Sequence, residues 1–242
     1  MIREDGRGNS DLRDCRFLVG VNKYAEGSCL ISMGHTKVHI TASIEDRVPR
    51  WMLDSGNGWI TAEYGMLPRA TGDRTPREAS TGKQGGRTLE IQRLIGRCLR
   101  ASCDTAALGQ RTITIDCDVI QADGGTRTAS ITGAYVALAQ ACRHLEKKKL
   151  LKRNPLRQQV AAISVGIVSG EVLLDLAYSE DCRAGTDLNL AMTNDGRVIE
   201  IQGTAEGEPF SLQQLSDMIA VGQKGIGELF ERQKEAIAKF TD

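Results

Sequence analysis

The chain has 242 residues, with 31 Lys and Arg balanced by 31 Asp and Glu, so its formal charge at pH 7 is zero. That balance excludes a uniformly basic nucleic-acid binder of the histone type, and 40% hydrophobic residues exclude general disorder. With only two Trp, four Tyr and four Phe, a surface built of many base-stacking platforms is excluded as well.

The first residues, Met1-Ile2-Arg3-Glu4-Asp5-Gly6-Arg7, are charged and carry no apolar leader. No run approaches the roughly 18 apolar residues of a membrane span, which predicts a cytoplasmic protein. Cys29 to Met33 and Val38 to Ile44 flank Gly34-His35 as a hairpin. Trp59 to Tyr64 is a further short strand. Residues 65–86 hold Gly, Pro, Thr and Arg without apolar periodicity and read as a long loop, a feature that usually carries function or an interface. Leu89, Ile91, Leu94, Ile95, Cys98 and Leu99 recur at helical spacing and predict a helix over 87–103.

Thr112 to Val119 alternates strictly. Ile113, Ile115, Cys117 and Val119 fall on one face, Thr112, Thr114, Asp116 and Asp118 on the other, the pattern of a half-buried strand. A glycine loop over 121–126 leads into a helix ending near Lys147-Lys148-Lys149, where positive charge suits the helix dipole. Strands are predicted over 160–168, 172–178, 188–193 and 198–202, the last pair joined through Asn194-Asp195-Gly196. Ser211 with Gln214 forms a capping box opening a final helix towards Phe240. Hairpins plus a helix thus occur twice around a central strand–loop–helix, giving an α+β fold: one domain over 1–242 built from two similar halves. Seven cysteines with no CxxC pair predict reduced thiols, mostly in the core.

Charge is segregated locally. Residues 65–100 carry eight basic groups against three acids; residues 170–187 carry five acids against Arg183 alone. Arg93, Arg97 and Arg100 share one helix face. The segregation reads either as a polyanion groove beside a carboxylate site or as solvated faces that pair with each other or across a subunit boundary. Asp123-Gly124-Gly125-Thr126-Arg127-Thr128 favours the first. Glycines at a strand-to-helix junction let backbone N–H groups turn to one side, the helix start adds free N–H groups, and Arg127 adds a planar donor pair for phosphate. A tight turn capped by Thr126 is the bland reading of the same residues. Gly85-Gly86-Arg87-Thr88 repeats the recipe, which points to one shared phosphate site. There is no GxxxxGK[ST] nucleotide loop. A serine triad or zinc site on His35, His39 or His144 has no supporting pattern. Asp181 and Asp187, six apart around a turn-like segment, are candidate acids of the hard-oxygen type that suits Mg²⁺.

The sequence resembles ribonuclease PH, the bacterial phosphate-dependent exoribonuclease family. The resemblance spans nearly the whole chain. It is carried by Gly58-Trp59-Ile60-Thr61-Ala62-Glu63-Tyr64, by Met66-Leu67-Pro68-Arg69-Ala70-Thr71, by the stretch from Gly86 to Arg97, and above all by the stretch from Asp116 to Ala134. The resemblance implies the family's βαβ, ribosomal-protein-like fold. It implies phosphate binding by Arg87, Gly125, Thr126 and Arg127, with Asp181 and Asp187 as the catalytic acids and Mg²⁺ ligands. RNA contacts would come from Arg69, Arg74 and Arg77, with the Arg93, Arg97 and Arg100 face holding RNA backbone or making intersubunit ion pairs. The implied activity is phosphorolytic 3′→5′ trimming of tRNA precursor ends, with rRNA as the secondary substrate and inorganic phosphate as co-substrate, by a homohexamer arranged as a trimer of dimers. The contrasting reading is a non-catalytic RNA-binding ring subunit of an exosome-like assembly, which the joint retention of Arg87, Arg127, Asp181 and Asp187 disfavours. Two departures from the family stand out: Arg3-Glu4-Asp5-Gly6-Arg7 in place of Arg-Pro-x-Gly-Arg, and Cys182-Arg183-Ala184-Gly185-Thr186, which lacks a Glu and adds Arg183 between the aspartates.

Overall fold

A computed structural model describes residues 3–240. Its first sheet has the order β1 (Cys15–Val19), β2 (Gly27–Met33), β3 (Thr36–Glu45), β5 (Thr112–Gln121), β4 (Trp59–Met66). All neighbours are antiparallel except β4 and β5, which run parallel with Trp59 beside Thr112 and Met66 beside Val119. A parallel pair needs a crossover, and the long loop provides it together with α1 (Glu78–Thr81), α2 (Gly86–Ser102) and α3 (Thr105–Leu108). The second sheet, antiparallel throughout, orders β7 (Glu171–Leu174), β6 (Val160–Val168), β8 (Thr186–Thr193) and β9 (Val198–Ala205).

The predicted alternation in β5 is realised from Ile113 onward. Ile113, Ile115, Cys117 and Val119 are buried, Thr114 and Asp116 half-buried and Asp118 exposed, while Thr112 at the strand's start is buried too. α4 (Thr126–Lys147) packs on β2 and β3 of the first sheet and on β6 of the second. Contact on both sides explains its unbroken burial from Thr128 to Ala139. Its small residues let a strand approach closely: a Cβ on Gly27 of β2 would lie 2.0 Å from the Ala137 carbonyl oxygen. α6 (Leu212–Ala238) covers β6 and β7, and its Ser211–Gln214 capping box forms as expected. One continuous core draws on both sheets.

Three expectations are corrected. The strand predicted to reach Tyr178 stops at Leu174, because Asp175 takes φ +54° and leaves extended geometry; Tyr178 instead opens the short helix α5 (Tyr178–Asp181). The long loop contains α1. The edge strand β1 was not predicted: its five residues, Cys-Arg-Phe-Leu-Val, are too short and too evenly apolar to show a period-two alternation. The seven cysteines are unpaired; five are buried, Cys15 is half-buried and Cys182 is exposed.

Candidate active site

The site is placed by the parallel pair. β4 and β5 end side by side, and each is followed by a segment leading to a helix start. Ligands of α/β sheets bind outside the carboxyl ends of such strands. Arg87 and Arg127 are each the second residue of their helix. Glycine makes this loop possible: Gly124 and Gly125 sit at φ +76° and +65°, conformations other residues rarely adopt. A Cβ on Gly124 would also lie 2.4 Å from the Leu176 carbonyl oxygen, so the loop packs backbone against backbone on the second sheet's β7–α5 connection.

A cavity of about 770 Å³ opens there, lined by Arg87, Gly124, Gly125, Thr126, Arg127, Asp181 and Asp187. The predicted phosphate set and both predicted acids therefore share one space, with the first sheet contributing the arginines and the second the aspartates. Asp181 ends α5, and Asp187 lies on β8 opposite Gly166 of β6. Burial and the nearby Asp187 carboxylate push the Asp181 carboxyl above its ordinary range, against the opposing pull of Arg87, Arg127 and Arg13. Burial and the neighbouring Arg87 charge lower Arg127. Two like-charged guanidiniums held together in a half-buried pocket invite an anion between them.

Arg127 is held from outside the predicted set. Its Nη1 donates to Gln202 Oε1 of β9, while Gln202 Nε2 donates to Glu90 Oε1 at 2.6 Å. The Thr126 hydroxyl meets Tyr64 Oη at 2.9 Å. Glu78 Oε1 accepts from the Gly85 amide at 3.0 Å and from Thr88 Oγ1 at 2.7 Å, tying α1 to the start of α2, which has no capping side chain at Gly85. Gln202 and Tyr64 lie far along the chain from the groups they fix, so no local spacing marks them, and Glu78, only seven and ten residues from Gly85 and Thr88, lies inside the segment read as a loop.

The other arginines divide. Arg69, Arg74 and Arg77 are exposed on the long loop, whose Thr71, Gly72 and Asp73 line the cavity. Arg93, Arg97 and Arg100 line a separate groove with Trp59. There Arg97 pairs with Glu200 at 2.7 Å, and Arg100 donates to the Ile60 carbonyl at 2.8 Å while its guanidinium stacks 4.3 Å from the Trp59 ring. The acidic stretch also divides. Asp175 and Glu180 are buried in ion pairs with Arg13 and Arg3, leaving Asp181 and Asp187 for the cavity. Among the described residues no group of three or more His, Cys, Asp or Glu forms a metal cage.

The domain-1 model of the 3′ exoribonuclease family, RNase PH, matches residues 11–143, and its domain-2 model matches residues 158–225. This chain belongs to that family. The family's division falls between α4 and β6, at the crossing of the two sheets, so the cavity lies where RNase PH domain 1 meets domain 2. Solved structures show the same fold. A chain of the Archaeoglobus fulgidus exosome with RNA bound to the active site is 22% identical, with TM-score 0.81 over 95% of this chain and 92% of that one. Rice Rrp46 is 19% identical, with TM-score 0.78 over 97% and 100%. An archaeal exosome core chain is 21% identical, with TM-score 0.76 over 96% and 91%. No helix among the described residues is long and apolar enough to cross a membrane.

Proposed function

We propose that this RNase PH-family chain is a phosphorolytic 3′→5′ exoribonuclease that trims tRNA precursor ends with inorganic phosphate as the attacking group. The observation that carries the reading is the cavity that sets two arginines and a glycine nest opposite two aspartates. Phosphate sits in the Gly124–Thr126 nest between Arg87 and Arg127. One of its oxygens attacks the phosphorus of the last phosphodiester, the bond from phosphorus to the 3′ oxygen breaks, and that oxygen takes a proton. The products are a nucleoside diphosphate and an RNA one residue shorter. Most of the rate comes from positioning and neutralising crowded anions, as in other phosphoryl transfers.

The two aspartates divide the remaining work. Asp181, whose carboxyl lies above the ordinary carboxylate range through burial and the nearby Asp187, suits the general acid that protonates the leaving oxygen. Asp187 suits a Mg²⁺ ligand. The residues fit that metal, since Mg²⁺ keeps several waters and needs only one or two protein carboxylates beside substrate phosphates. Bound there, Mg²⁺ would neutralise charge developing on the phosphoryl oxygens. RNA reaches the cavity along the exposed Arg69, Arg74 and Arg77 segment, held by its backbone. Assembly into a ring of six identical subunits, a trimer of dimers, is part of the same reading and follows from the family resemblance.

The deciding assay measures nucleoside diphosphate release from RNA with an accessible 3′ end, with and without phosphate. Arg127→Ala is expected to lose about 100-fold or more of that activity while RNA affinity stays within roughly threefold. Trimming that is equal without phosphate refutes phosphorolysis. No release from the wild-type assembly favours a non-catalytic ring subunit.

A further inference from the structure

The arginines of the amino-terminal segment do not enter the cavity, yet they brace both of its walls. Arg13 is buried to 5% exposure. Its Nε and Nη2 donate to Asp175 Oδ2 and Oδ1 at 3.1 and 2.7 Å, and its own amide donates to Oδ2 at 2.8 Å. The far side of the same guanidinium donates Nη1 to the Asp123 carbonyl, with Nη2 3.4 Å from the Gly124 carbonyl. Those carbonyls belong to the phosphate loop, and their orientation decides where the loop's N–H groups point. Asp175 pays for this geometry with a left-handed backbone at φ +54° (strain of the kind that persists where surroundings over-determine it). Its backbone is pinned by its amide to the Ser164 carbonyl at 2.7 Å and by the Leu176 amide to Ser164 Oγ at 3.1 Å. Asp123 completes the junction from the other direction, its Oδ1 accepting from the Tyr178 amide at the start of α5 at 3.3 Å.

Arg3 acts on the second wall. Its Nε and Nη2 grip Glu180 at 2.6 and 2.5 Å, and its Nη1 and Nη2 reach the Leu174 and Asp175 carbonyls at 2.8 and 3.0 Å. Glu180 immediately precedes Asp181.

We propose that Arg13 and Arg3 are positioning residues with separate tasks: Arg13, through Asp175, sets the phosphate loop, and Arg3, through Glu180, sets the turn that presents Asp181. This rests on the phosphorolytic reading above and extends it to residues that touch neither substrate. The loop binds phosphate before and during the reaction alike, so loosening it removes uniform binding and raises KM. Misplacing an acid that acts only in the transition state lowers kcat.

The test is steady-state phosphorolysis at varied phosphate, with thermal melts alongside. Wild-type activity is established first, and its absence refutes the parent reading on its own. Arg13→Lys keeps the charge facing Asp175 but loses the planar fork, and is expected to raise the KM for phosphate about tenfold with kcat changed less than about threefold. Arg3→Lys is expected to lower kcat about tenfold with the phosphate KM changed less than about threefold. Asp175→Asn, which keeps the side chain's shape but replaces one of its two acceptor oxygens with an NH2 donor facing Arg13, is expected to follow Arg13→Lys. Wild-type KM in folded Arg13→Lys overturns the proposal, as does a loss in both arginine variants with the same KM-to-kcat split. Failure of both Arg13→Lys and Asp175→Asn to fold overturns it too, because the pair would then serve folding rather than positioning.

Discussion

At the scale of single residues, the site is a set of opposed charges whose cost is visible in Asp181. Ionised Asp181 is unfavourable in the fold because burial and the Asp187 carboxylate raise its carboxyl. Such a group stabilises the fold only in its protonated form, below the ordinary carboxylate range, and that benefit is lost as pH rises through its folded value. In EDTA, Asp181→Asn is therefore expected to raise Tm at pH 7, with the gain shrinking as pH falls towards about 4, where the unfolded chain also takes up the proton. The same change removes the proposed proton donor and is expected to cost about 100-fold or more in phosphorolysis. Paired melts at the two pH values check the first part: a gain that does not shrink contradicts the raised carboxyl. The chemistry-bearing residues themselves were legible in the chain, because glycine next to arginine at a helix start is a local pattern. Gln202, Tyr64 and Arg13 were not, since each meets its partner across a long separation.

At the scale of elements, periodicity marked the strongly amphipathic segments, such as β5, showed no stripe where burial is two-sided, and failed where backbone conformation intervenes. α4 shows the first case: with a sheet on each side it needs small residues all round rather than an apolar stripe, and the helix was legible instead from the glycine loop before it and the lysines at its end. Gly27 follows from that closeness. Gly27→Ala places a methyl group against the α4 backbone, which side-chain rearrangement cannot relieve, and is expected to destabilise the fold by about 3 kcal/mol. Urea denaturation measures this directly, and an unchanged midpoint would mean that the strand and helix are not in contact. The end of β7 shows the second case. The apolar run continues through Leu176, but Asp175 turns the chain because Arg13 holds its carboxylate.

At the scale of the whole molecule, zero net charge is the sum of unlike regions. The acids of the 170–187 stretch are partly spent on buried pairs with Arg3 and Arg13, and Arg97 is spent on Glu200. Arg69, Arg74 and Arg77 remain exposed near the cavity. Each phosphate contact on a single strand contributes about 0.7 to the slope of log affinity against log salt. Replacing all three by Ala is therefore expected to flatten that slope by about 2 for single-stranded RNA. Titrations at several salt concentrations decide it, and an unchanged slope places the RNA elsewhere, the Trp59 groove being the next basic surface.

The chain by itself determined the α+β class, most strands and helices, the two glycine–arginine motifs and the candidate aspartates, because each is written in neighbouring residues through periodicity, spacing or backbone permissiveness. The tertiary structure decided that these pieces form one site. It brought β4 beside β5 so that two helix starts share a cavity, it set the second sheet's aspartates opposite them, and it chose which charges are buried in pairs and which face the cavity. Those outcomes depend on contacts between residues as far apart as Arg13 and Asp175, and such contacts leave no periodic trace in the sequence because only the folded chain brings their partners together.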